Sequence, residues 1–317
     1  PLKSKLMKPI KLFLCLLTIN LALAYSFAQG QTQPDITPGQ LLGADFRAIT
    51  TAVPFLSISP DARQAALGDA GAASAPDANS AYWNAGKLAF IDKAYGGSIS
   101  YTPWLGKIIN DMWISYLTGF YKITKEQAFA LSLKYFDLGE IVFSDNSGTT
   151  TGVFNPREYS LDLTYSRLLT NNFSVGLTGR YIRSNLTGAF SGNGAMDAKP
   201  GNSVAADVGV YYTKDLKGTR ASKLSLGASL SNIGAKISYS TNSNKDFLPT
   251  NLRLGTAYTR ELDPYNNITF LLDINKLLVP SPPLRDSAGN VVSGRDPEKV
   301  SFISGMFGSF SDAPNGG

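Results

Sequence analysis

The sequence predicts an all-β fold, a transmembrane antiparallel β-barrel preceded by a short N-terminal plug. Three observations carry that expectation. From Tyr95 onward apolar and polar residues alternate with period two, the polar face is built from small uncharged residues, and short connections take turns with long ones. Composition narrows the field from the other side. The 317 residues include no histidine and one cysteine, which removes Ser-His and Cys-His nucleophilic devices, His-ligated metals, thiolate zinc sites and disulfide frameworks. No enzymatic activity, cofactor or resident metal is expected.

The formal net charge of +5 belongs to one end of the chain. Lys3, Lys5, Lys8 and Lys11 fall within the first 28 residues, where no acidic residue occurs, leaving 25 basic against 24 acidic residues for the remainder. The basic balance therefore says nothing of nucleic acid, and none is expected as a partner. A basic stub, an apolar run from Leu12 to Ala24 and the small residues of Ser26-Phe27-Ala28 read as a signal peptide over residues 1–28, cleaved after Ala28. The apolar run is shorter than the roughly 20 residues that a spanning helix needs. Cys15 would leave with the leader, so an exported, cysteine-free mature chain is expected, with Met7 as the natural start.

Residues 29–93 read as a periplasmic lead-in and plug. Gln29 to Thr51 is rich in Gln, Thr and Pro, and Pro60 to Ile91 holds the only plausible helical material, centred on Ala78 to Ile91. Residues 94–317 carry the strands. Phe129, Leu131, Leu133 and Tyr135 oppose Ala130, Ser132 and Lys134; Tyr159, Leu161, Leu163 and Tyr165 oppose Ser160, Asp162 and Thr164. The same alternation recurs over Phe173–Tyr181, Val204–Tyr212, Leu224–Leu230 and Ile268–Ile274. A soluble sandwich alternates too, but its outer face is richer in Lys and Glu than these Ser, Thr, Gly and Asn positions. Strands of about 10 residues suit a tilted crossing of a bilayer.

Short links at Lys122–Lys125, Leu169–Asn172, Asp215–Ala221 and Leu262–Asn266 alternate with long ones at Ser144–Arg157, Leu186–Asn202, Gly234–Thr250 and Leu277–Lys299. Outer-membrane barrels pair tight periplasmic turns with long external loops in this way. Tyr101, Trp104, Trp113, Tyr121, Tyr135, Phe143, Tyr159, Phe173, Tyr258 and Tyr265 are candidates for interfacial girdles. Nine strands are readable, an odd number that does not close a bacterial single-chain barrel, and an open edge in lipid would leave backbone groups unpaired. The expectation is that the chain is C-terminally truncated.

Three sets of side chains stand out. Lys134, Asp162, Arg180, Asp207, Arg253 and Asp273 point to the polar side, where they line a path or ligand pocket or form an internal ion network; a narrow barrel more often holds the network. Leu277, Leu278, Val279, Pro280, Pro282 and Pro283 open the longest external loop, where prolines lower the ordering cost of an apolar segment that meets a partner β surface. Asp61, Arg63 and Asp69 are expected to hold the plug through caps and ion pairs.

Two groups of motifs go further. Ser59-Pro60-Asp61-Ala62-Arg63, Leu67-Gly68-Asp69-Ala70-Gly71 and Asp77-Ala78-Asn79-Ser80-Ala81-Tyr82-Trp83-Asn84 resemble the N-terminal signature of FadL-like outer-membrane proteins, many of which have Asn-Pro-Ala where this chain has Asn84-Ala85-Gly86. The resemblance adds Trp83 and Asn84 to the plug residues. Ser100 to Leu105, Lys134 to Ile141, Phe247 to Gly255 and Asp273 to Pro280 resemble the PorV family, outer-membrane barrels of the Bacteroidetes type IX secretion system. That resemblance implies a FadL-like barrel of about fourteen strands when complete, located in the bacterial outer membrane. It implies binding of cargo with a C-terminal sorting domain, and its shuttling from a large translocon barrel to the proteins of a surface attachment complex, with outer-membrane lipid around the barrel. A FadL-type transporter of hydrophobic small molecules is the alternative. A lipid hydrolase is disfavoured by the absence of histidine, although paired carboxylates such as Asp162 and Asp207 are not formally excluded.

Overall fold

The computed structural model describes residues 49–144, 147–186, 199–218, 220–239, 245–285, 291–297 and 299–312. The expected signal peptide and the lead-in through residue 48 lie outside the described residues. Nine strands form one antiparallel sheet: β1 (Tyr95–Pro103), β2 (Trp113–Lys122), β3 (Gln127–Asp137), β6 (Arg157–Thr170), β7 (Phe173–Asn185), β8 (Gly201–Leu216), β9 (Ser222–Gly234), β10 (Asn251–Asp263) and β11 (Asn266–Leu277). Each pairs with the next along the chain, and within the described residues β1 and β11 have one neighbour each. No described helix is long and apolar enough to cross a membrane.

The sheet is inside out by the standard of a soluble protein. On β3 and β6 the buried face carries Ser132, Lys134, Glu158, Ser160, Asp162, Thr164 and Ser166 with Ala128, Ala130 and Phe136 towards the ends of β3, while Leu131, Leu161 and Leu163 lie on the opposite face, about half exposed. In-register pairing aligns these choices across strands. Leu131 faces Leu163, and Asp162 faces Arg180, so one face is greasy and the other polar across its middle. At the long-connection end, Tyr101, Trp113 and Tyr135 stack in series at 5.6 and 5.3 Å on the greasy face, and Tyr135 pairs with Tyr159. A second aromatic row at the short-turn end joins Tyr95, Tyr121, Phe129 and Tyr165 through direct cross-strand pairs. Trp104 departs from the expected girdle because its ring meets inward-facing Phe136 edge-on, and Tyr258 is buried.

The polar face wraps a plug of short helical turns: η1 (Pro54–Ser57), α1 (Ala62–Ala66), α2 (Ser80–Trp83) and η2 (Ala85–Phe90). Two apolar clusters hold it. Val53, Phe55 and Leu56 pack on Ile114, Phe136, Ile182, Ala205, Ile237 and Leu248 towards the long connections. Leu88 and Ile91 pack on Phe120, Ala128 and Ala130 towards the short turns. Between them runs the polar belt.

Three expectations need correction. The stretch Ser144–Arg157 is not simply a loop, because β4 (Ile141–Ser144) and β5 (Thr150–Phe154) pair as a hairpin at its start. The stretch after Leu277 likewise holds a small hairpin of β12 (Leu284–Arg285) and β13 (Val291–Ser293). Helical structure is not confined to Pro60–Ile91, since α3 spans Phe302–Asp312. Glycines at 305 and 308 lower its intrinsic propensity, and packing of those positions against Phe247, Pro280 and Arg295 supplies what propensity does not.

Candidate functional site

Asp61 organises the plug. Its Oδ1 accepts the Gln64 N–H at 3.0 Å, capping α1, while Oδ2 accepts the Trp83 indole N–H at 2.7 Å. Trp83 lies so close over Gly71 that a Cβ there would overlap the indole. Arg63 pairs with Asp77 at 2.9 Å on the plug surface. Asp69 sits at φ 61°, in the left-handed region, and faces the cavity described below. Asn84 donates to the carbonyls of Ala72 and Val210, both at 2.9 Å, and accepts the Gly86 N–H. One side chain thus ties two plug segments to the wall.

The wall is shaped to receive this backbone. Gly176 of β7, Gly209 of β8, Gly227 of β9 and Gly255 of β10 all belong to the polar face, and Gly176 pairs with Gly209 as Gly227 pairs with Gly255. A Cβ at Gly176 would strike Ala85, one at Gly209 the Asn84 carboxamide, one at Gly227 the Ala72 carbonyl, and one at Gly255 Asp273 and Ala72. These glycines were missed in the sequence reading, although four inward positions without side chains on adjacent strands are a legible signal of close approach.

The six polar-face charges do not form one network; they divide into separate tasks. Asp162, Arg180 and Asp207 come together. Arg180 makes a bidentate contact with Asp162, Nε to Oδ1 at 2.9 Å and Nη2 to Oδ2 at 2.8 Å, and also reaches Asp207 Oδ2 at 2.9 Å. Its Nη1 contacts Asn232 Oδ1, and the Asn232 N–H donates to Asp207. Lys134 stands apart and is buried. Its ammonium donates to the Ile58 carbonyl at 2.5 Å and lies 4.6 Å from the Tyr82 ring centre, clamping the plug to β3. Lys134 and Arg180 therefore share the covered face with three buried carboxylates, Asp162, Asp207 and Glu158, the last accepting from Ser184 Oγ at 2.6 Å. Asp273 accepts the Gly71 and Ala72 N–H groups at 2.8 Å and fixes a plug turn to β11. Arg253 lies 4.6 Å over Trp83, with Nε donating to Asn275 Oδ1 at 2.7 Å.

The expected partner-binding ridge is not a free surface. Leu278, Val279 and Pro280 are buried, the Leu278 N–H donates to Thr250, and Pro280 lies against Gly305 of α3. Leu277, Pro282 and Pro283 are half-buried. The segment is tied inward through the Leu278–Thr250 hydrogen bond, and α3 lies against it at Pro280. A cavity of about 380 Å³ lies between the plug and β7–β11, bordered by Asp69, Trp83, Arg180, Asp207, Asn251 and Arg253. Its location near Asn251, Asn275 and Leu277 places it towards the long connections.

An antiparallel sheet with an apolar outer face, a polar inner face and an internal plug is the arrangement of outer-membrane β proteins. Residues 42–284 match the sequence profile of "Type IX secretion system protein PorV". The chain belongs to that family, which is one of secretion-system components rather than of enzymes. No curated protein matches the chain.

Substituting Gly209 or Gly227 by Val is expected to displace the plug at a cost of about 1–3 kcal/mol. Limited proteolysis of folded protein should then cut residues 54–91 much faster than in wild type. Gly179→Val, which meets open space, should behave as wild type.

A pH dependence is also built into the plug. Lys87 is fully buried, with Nζ donating to the Gly71 carbonyl at 2.9 Å and Ser74 Oγ at 2.8 Å, and burial pulls its pKa from 10.5 to about 8. Between those values the unfolded chain holds a proton that the folded plug has released, so stability rises with pH across that window and is lowest below it. Burial pushes the Tyr82 hydroxyl upward, so it stays protonated in the folded plug, and its opposing contribution sets in only towards about pH 10, where the unfolded phenol ionises. Thermal unfolding followed by tryptophan fluorescence should show a midpoint rising from about pH 8 to about pH 9.5, with a shallower slope in Lys87→Met.

Proposed function

We propose that this chain is an outer-membrane β-barrel component of the type IX secretion system. In this reading it binds cargo bearing a C-terminal sorting domain and carries it from the translocon to the surface attachment complex. The observation that carries the proposal is the family match over residues 42–284 on a sheet whose greasy face points outward. In a bilayer that face meets lipid, the two aromatic rows sit at the headgroups, and the long connections stand on the cell surface.

The plug supports a carrier over a conduit. Val53, Phe55 and Leu56 at one end and Leu88 and Ile91 at the other pack on inward-facing wall residues, with the Arg180 network and Lys134 between them. Passage of a hydrophobic solute would require moving this packed unit. A carrier works from its rim with the interior filled.

Affinity purification of the full-length tagged barrel from a detergent extract tests the proposal. Secreted proteins with sorting domains should co-purify. Recovering none, while a deletion strain loses fatty-acid uptake, would overturn it in favour of the transporter.

A further inference from the structure

Arg253 is built like a receptor and lacks a ligand among the described residues. Its guanidinium lies over the Trp83 ring, and Nε is held by Asn275, which also accepts from Asn251 Nδ2 at 3.2 Å. No carboxylate lies within ion-pair distance of it among the described residues: Asp273 is close enough to feel its charge but is engaged by the Gly71 and Ala72 N–H groups, and the two terminal nitrogens of Arg253 have no described partner. Arg180, bordering the same cavity, differs in this respect because Asp162 and Asp207 already saturate it. A planar fork fixed by stacking and one hydrogen bond has lost most of its freedom before any ligand arrives, which favours bidentate capture of a carboxylate.

The rest of the cavity narrows the chemistry. Arg180 and Arg253 border the cavity with Asp69 and Asp207, and the Asp162 and Asp273 carboxylates stand close by, so acidic groups outnumber basic ones and favour a monoanion that uses the one unpaired guanidinium over a compact dianion such as phosphate. Ser229, Ser231, Asn232 and Asn251 also border the space. The Ser229 and Ser231 hydroxyls donate to the Trp83 and Asn251 carbonyls and keep lone pairs for peptide N–H groups, while Leu56, Tyr82, Trp83 and Leu277 form an apolar wall for a terminal side chain. The cavity lies towards the long connections, the end from which a surface-bound protein approaches in the function proposed above.

We propose that the cavity beside Trp83 receives the C-terminal carboxylate of a polypeptide, held bidentately by Arg253. The inference rests on the cargo-binding reading and supplies it with a chemical contact. An Arg–carboxylate pair of this kind contributes about ten- to a hundredfold in affinity.

The test uses the full-length barrel in detergent and an isolated sorting domain prepared with a free C-terminal carboxylate or, by intein aminolysis, a C-terminal amide. The amide should bind wild type at least about tenfold more weakly. Arg253→Gln should weaken the free acid by a similar factor and abolish the difference between the two forms, with unchanged thermal unfolding showing that the variant is folded. Equal binding of acid and amide, or a difference that persists in Arg253→Gln, overturns the inference while leaving cargo binding intact.

Binding of neither form removes the cargo reading itself, and N-acetylglycine then judges the site alone. It should raise the unfolding temperature of wild type, with no effect from N-acetylglycinamide and none in Arg253→Gln. No shift overturns the proposal. Phosphate or decanoate acting as strongly as N-acetylglycine also overturns it, by showing a general anion site or a fatty-acid site instead.

Discussion

Side chains on a β-strand alternate between two faces, and in this chain the alternation is inverted relative to water-soluble proteins. The covered face holds serines, threonines, two buried cations and three buried anions, while leucines, valines and tyrosines are exposed. That arrangement is costly in water and natural in a bilayer, where the outer apolar face is solvated by acyl chains and every backbone group must be satisfied by a neighbouring strand. The rest of the molecule answers this constraint. Once the interior is polar, a hydrophobic core of the usual kind is not available to define it, and packing must come from elsewhere.

The plug supplies it. Its apolar residues fill the two ends of the concavity, and between them the charges are satisfied by geometry rather than excluded. Arg180 bridges Asp162 and Asp207, Lys134 caps plug carbonyls, and Asp273 binds plug amides. Charges buried in this manner specify one seating of the plug more than they add stability, because the cost of desolvating them offsets much of their attraction. The inward glycines act in the same direction. By omitting side chains where Ala72, Asn84 and Ala85 approach, they let plug backbone and strand backbone come together in one register.

Much of the sheet was legible because period two is a local signal with a strong physical cause. Leu131, Leu133, Leu161 and Leu163 announce their face from sequence alone, as do Ser132, Asp162 and Thr164, and the nine strands follow from such runs. The pairing of Asp162, Arg180 and Asp207 was within reach, since all three lie on the polar face of adjacent strands. What remained hidden depends on contacts between distant segments. Nothing local shows that Arg253 lies over Trp83, that Lys134 reaches the Ile58 carbonyl, or that Gly227 leaves room for Ala72. The burial of Leu278, Val279 and Pro280 is hidden for the same reason: it goes with the Leu278–Thr250 hydrogen bond and with α3 against Pro280, a helix poor in intrinsic helix formers and held by packing against Phe247 and Pro280.

Nitroxide labels placed one at a time from Tyr159 to Tyr165 in the full-length protein reconstituted into lipid vesicles test the central claim most directly. Collision rates with oxygen, which partitions into lipid, and with a water-soluble nickel chelate should alternate with period two. Positions 161 and 163 should favour oxygen, and positions 160, 162 and 164 should be shielded from it. The opposite phase, or high nickel accessibility at 161 and 163, would show that the leucine face does not meet the bilayer and would contradict the account.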